Sequence, residues 1–201
     1  MSKRAPWIER HLTPIRDRRN RALPREYVSG EAIHYLGRRY RLKVVMVPAV
    51  VPTVRLRGGF LEVTVSARND VEPAIRAWYR QKARDYFSQR LIAVSSSLCW
   101  VRHQPKLRLA FLSKQWGSCS PSGTLTLNAL LVQAPRDCVD YVLLHELCHL
   151  REHNHSRGFY QLLERHFPTW RSVKSRLDGM ADEFLRPNSP KIHDIAEQHW
   201  P

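Results

Sequence analysis

Tyr141-Val142-Leu143-Leu144-His145-Glu146-Leu147-Cys148-His149-Leu150 sets two histidines four residues apart on a segment whose apolar positions recur at helical spacing. Four residues along a helix turn about 40° from the starting direction. The imidazoles of His145 and His149 therefore project from one face, one turn apart, and reach a single ion. Glu146 stands on the flank of that face. It is too close in sequence to share the ion, and well placed to hold a water bound to the metal and accept its proton. Val139, Val142, Leu143, Leu147 and Leu150 supply the buried side, so the histidines face an interior cleft.

His155 follows six residues after His149 and, on an unbroken helix, would point about 240° away. The chain is therefore expected to break between them, with Asn154 in a left-handed closing position and Ser156 as the N-cap of the next helix. His155 then lies in the corner between two helices, from which its ring turns back onto the ion. Three protein nitrogens leave a fourth position open, the arrangement of a catalytic zinc, and one Zn2+ per chain is expected. His153 would join the metal face only if the helix ran on through Asn154. Cys148 is expected to be a buried thiol.

The segments Gln115-Trp-Gly-Ser-Cys-Ser120, Leu125-Thr-Leu-Asn128, Asp140-Tyr-Val-Leu-Leu-His-Glu-Leu-Cys-His149 and Asn154-His-Ser-Arg-Gly-Phe-Tyr160 together resemble the YgjP-like metallopeptidase family, predicted metal-dependent hydrolases similar to the SprT and WLM metalloproteases. The resemblance spans roughly residues 35–185. It implies His145, His149 and His155 as zinc ligands and Glu146 as the catalytic carboxylate. Lys114-Gln115 stands where the family usually has an arginine.

The 201-residue length suits one domain with extensions. No apolar run approaches a transmembrane span and no apolar signal region opens the chain, so no membrane association and a cytoplasmic location are expected. The four cysteines, Cys99, Cys119, Cys138 and Cys148, form no C-x-x-C pair, which fits a reducing compartment. The formal net charge of +15 makes nucleic acid a candidate partner through a basic surface, beside the plain reading of a basic solvated protein.

Residues 1–29 are rich in Lys and Arg and interrupted by Pro6, Pro14 and Pro24, and read as a basic N-terminal arm. Residues 30–185 hold the metallopeptidase domain, and residues 186–201 read as a tail. Strands are expected from Ala32 to Ser66, where Tyr40, Leu42 and Val44 alternate with Arg39, Arg41 and Lys43, giving an antiparallel sheet with a wet basic face. Val71 to about Ser97 reads as the long core helix, with Val71, Ile75, Trp78, Tyr79, Tyr86, Phe87 and Ile92 on its apolar stripe. Leu107–Leu112 and Thr124–Asn128 read as strands of a hairpin joined by a turn over 117–123. The backbone of Trp116, Gly117 and Ser118 is the candidate edge for an extended substrate. Arg136–Glu152 is the expected metal helix, followed by helices over Ser156–Phe167 and from Trp170 to Phe184.

The expected fold is α+β, an antiparallel sheet with a long core helix and a C-terminal helical zincin-like region. The expected function is zinc-dependent peptide-bond hydrolysis of a protein or peptide substrate, through a metal-bound water and Glu146 as general base. The alternatives are a nucleic-acid-associated protein with a structural zinc, or a protease acting on DNA-bound proteins.

Overall fold

Alternation of apolar and charged residues builds a four-stranded sheet from β1 (Ala32–Tyr35), β2 (Arg38–Met46), β3 (Thr53–Arg57) and β4 (Phe60–Val65), in the order β1-β2-β4-β3. Ile33, Leu42, Leu61, Val63 and Val65 point inward and are fully buried. The computed structural model describes residues 25–185, so the expected tail and all but the end of the expected basic arm lie outside the described residues. That end joins the sheet, since Ser29 Oγ accepts from the Val44 amide at 2.9 Å.

The inner face of this sheet packs on α1 (Val71–Ser96), as the apolar stripe requires. Its buried residues fall every fourth position, at Val71, Ile75, Tyr79, Ala83, Phe87 and Leu91. Each such side chain taken from water is worth about 1.5–3 kcal/mol before the entropy of ordering it is counted. Ile92, expected on the stripe, is 56% exposed, because Leu91 fills the four-residue repeat and the next position turns outward.

A second sheet holds β5 (Lys106–Ala110), β6 (Gly117–Cys119) and β7 (Thr124–Asn128) in the order β5-β7-β6. The α+β class and the long core helix are as expected, but the sheets are mixed rather than antiparallel. β2 runs parallel to β4, and β5 parallel to β7. The antiparallel partner of β7 is β6, which lies inside the stretch read as a turn. Its glycine and serine suppress strand propensity locally, and the ladder to β7 overrides it.

After β7 a short 3-10 turn, Ala129–Gln133, leads into α2 (Arg136–Cys148), then α3 (Arg157–His166) and α4 (Trp170–Phe184). The first sheet meets this region through Leu36 and Gly37, whose amides donate to the Val132 and Gln133 carbonyls at 2.8 and 3.1 Å. Gly37 has φ +78°, and a Cβ there would stand 3.0 Å from Pro135 Cα, so the turn between β1 and β2 tolerates only glycine in this register. On its other side α1 grips α2, where Arg90 donates two hydrogen bonds to Asp140 at 2.8 and 2.9 Å.

Candidate metal centre

The histidine-bearing helix is short. α2 ends at Cys148, four residues before the expected Glu152, with His149 as its C-cap. The chain leaves it through a tight turn in which the Arg151 and Glu152 amides both donate to the Cys148 carbonyl. Asn154 is not among the residues of positive φ, so the helix closes without the expected left-handed residue. The Ser156 cap does form: its hydroxyl accepts from the Phe159 amide at 3.2 Å and starts α3.

This corner gathers His145, His149 and His155, whose donor atoms lie within 4.8 Å of one another. His155 Nε2 faces His145 Nε2 at 3.0 Å. Two nitrogens bound to one tetrahedral zinc stand about 3.3 Å apart, so the pair is already at the separation an ion needs. His149 turns Nδ1 to the Glu152 carbonyl at 3.1 Å, which fixes its ring and leaves Nε2 for a ligand. Burial, then His149 and His155, pushes His145 down to about 3, and burial also lowers His149. Neutral imidazoles are the form that binds metal, so the donor set fits zinc. Cys148 is fully buried, with its thiol pushed up to about 12 by burial, and neither it nor exposed His153 joins the cluster.

Phe159 on α3 is the floor of the site. Fully buried, it sets its ring centroid 4.9 Å from His145 and 4.7 Å from both His149 and His155. The spacing of His residues gives no hint of this; the signal is the apolar stripe Phe159, Leu162 and Leu163, which turns that face of α3 inward. Glu152 is a second support that spacing does not reveal. Its carboxylate accepts from Ser156 Oγ at 3.3 Å and lies against Gly158, tying the turn to the start of α3.

Glu146 is 6% exposed, and burial pushes its carboxyl up to about 8. β6 packs on α2 beside it. Trp116, just before β6, and Gly117 and Ser118 within it are half-buried, and among the described residues this edge strand has one side of its main chain unpaired. Asn128, unassigned by sequence reasoning, is fully buried and holds the approach to β6 in place. Its amide donates to the Leu112 and Gln115 carbonyls at 2.7 and 3.1 Å, and its Oδ1 accepts from the Leu130 amide at 3.0 Å. Tyr141 meets His145 edge-on at 5.9 Å, and burial raises its pKa, so it stays a neutral phenol.

A histidine cluster at the end of an H-E-x-x-H helix, with a buried carboxylate beside it, accords with a metal-dependent peptidase. Residues 1–180 match the YgjP-like, metallopeptidase domain family, and the chain belongs to it. Two solved metallopeptidase zymogens are also similar. Abylysin of Pyrococcus abyssi is 22% identical with a TM-score of 0.40, covering 48% of this chain and 92% of that one. Jannalysin of Methanocaldococcus jannaschii is 20% identical with a TM-score of 0.39, covering 48% and 94%. No curated protein matches the chain.

Proposed function

We propose that the chain is a zinc metallopeptidase in which His145, His149 and His155 hold the ion and Glu146 is the general base. The observation that carries this reading is the convergence of three histidine donor atoms within 4.8 Å, with Glu146 buried beside them on α2. Zinc bound there would polarise the scissile carbonyl and lower the pKa of an attacking water. The surrounding residues supply the rest. Phe159 and the Glu152 carbonyl fix the imidazole rings before any ion arrives, so little ordering remains to be done on binding. Glu146, buried next to His145 on α2, is placed to take a proton from water and return it to the leaving amine.

The edge of β6 at Trp116, Gly117 and Ser118 is the proposed substrate seat. An extended peptide added there forms main-chain hydrogen bonds and runs past Glu146, with side-chain preference left to neighbouring pockets. The four cysteines are free thiols, which accords with a reducing cytoplasm. No helix among the described residues is long and apolar enough to cross a membrane. Incubation of an unfolded protein such as reduced casein with the zinc-loaded chain tests the reading. Cleavage should stop on chelation and return with added Zn2+; fully loaded protein that leaves casein and a random peptide library intact contradicts it.

A further inference from the structure

The outer face of the four-stranded sheet is turned away from α1; its β1 end meets α4, where His34 lies against Glu183 and Phe184, and nothing in the peptidase reading uses β2, β4 and β3 on that face. Its residues follow from the register. Phe60 on β4 lies between Arg41 on β2 and Arg57 on β3, and one step along, Glu62 lies between Lys43 and Arg55. Arg39 extends the row on β2. All five cations are exposed, and Phe60 is 40% exposed at the centre of one row. Lys43 bonds Glu62 at 2.9 Å, and Lys43, Arg57 and Arg55 together hold that carboxyl below its ordinary range, so the three side chains share one face.

We infer that this face binds single-stranded nucleic acid, with Phe60 stacking on a base while Arg41, Arg57 and their neighbours contact the phosphates on either side. The charge is complementary to a polyanion, with five cations against one carboxylate on the outward positions of β2, β3 and β4. The aromatic ring decides which polyanion. A duplex hides the faces of its bases, whereas an unpaired base presents a π-face that an exposed ring on a basic sheet can receive. Same-face side chains repeat about every 6.7 Å along a strand and about 4.8 Å across it. Two rows of cations flanking a central strand therefore track an extended backbone rather than a single phosphate.

The test uses the full chain and a fluorescein-labelled oligodeoxythymidine of 20 nucleotides, read by anisotropy across a salt series. Phe60→Ala should weaken binding about tenfold with an unchanged salt slope. The double variant Arg41→Ala/Arg57→Ala should lower the slope of log K against log salt by about 1.4, at about 0.7 per phosphate lost. All three substituted positions are exposed, and unchanged thermal melting and zinc content would show that the fold persists. Equal affinity for a duplex with no effect of Phe60→Ala would overturn the inference in favour of unspecific attraction by charge. Unchanged binding by the double variant would place the contact elsewhere on the chain, and Phe60-dependent binding to phosphatidylserine vesicles in place of the oligonucleotide would make the partner a membrane. Peptidase activity plays no part in these readouts, so failure here leaves the proposed catalysis standing, and the reverse.

Discussion

Gly117 lies against Glu146: a Cβ at residue 117 would stand 2.9 Å from Glu146 Oε1 and 3.1 Å from its Cγ, and 2.9 Å from Leu127 Cδ2. The glycine of the edge strand is therefore the space in which the carboxylate sits. Gly117→Ala should displace Glu146 without touching the histidines. Since a shift of about 1 Å at a reacting group can cost about a hundredfold in rate, the variant should lose at least tenfold in kcat while its zinc content stays at one per chain. Steady-state kinetics beside metal analysis checks this, and a variant with full activity would show that Glu146 has room to move.

Phe159 touches all three histidine rings, so its shape sets their mutual placement. Phe159→Leu keeps an apolar side chain of smaller reach. It should weaken zinc binding about tenfold or more, the usual cost of disturbing groups that orient ligands, and destabilise the fold by about 1–3 kcal/mol. Competition with a chromophoric chelator gives the affinity, and urea denaturation the stability.

Arg90 and Asp140 join the long core helix to the histidine-bearing helix through two parallel hydrogen bonds. Lysine keeps the charge but not the fork. Arg90→Lys should cost about 1 kcal/mol, because the pair is only partly shielded from water. The shift in urea midpoint measures it, and an unchanged midpoint would mean that packing alone docks the two helices.

The metal-free chain should show an unusual pH dependence. His145 has a folded pKa of about 3 against 6.5 unfolded, so its contribution is complete above pH 6.5 and is lost as pH falls toward 3. Glu146 runs the other way. With a folded pKa of about 8 against 4.5, its contribution is complete below pH 4.5 and is lost as pH rises through 8. The two slopes oppose between pH 4.5 and 6.5, and only Glu146 acts between 6.5 and 8. Over that last interval the wild-type chain should lose about 2 kcal/mol more than Glu146→Gln does. Urea titrations of chelated protein at pH 6.5 and 8 give the difference, and parallel behaviour of the two proteins would contradict it.

Much of the fold was legible because its signals are local. The four-residue repeat of α1 and the alternation of β2 need only neighbours to be read, and the Ser156 cap follows from one hydroxyl beside a helical run. The parallel pairings of β2 with β4 and of β5 with β7 were not, since strand partners are chosen by packing between distant segments. Gly117–Cys119 hid as a turn because small residues carry no strand signal of their own. Spacing grouped His145, His149 and His155, which the structure places together, yet it was silent on what braces them. Phe159, the Glu152 carbonyl and the buried Asn128 act through contacts that no periodicity encodes.

The most direct measurement is zinc stoichiometry together with peptide-bond cleavage for the wild-type chain and Glu146→Gln, purified side by side. One zinc per chain in both, with cleavage reduced by at least a thousandfold in the variant, is the predicted result. Folded protein that takes up no zinc, or a glutamine variant that cleaves as fast as wild type, would contradict the account.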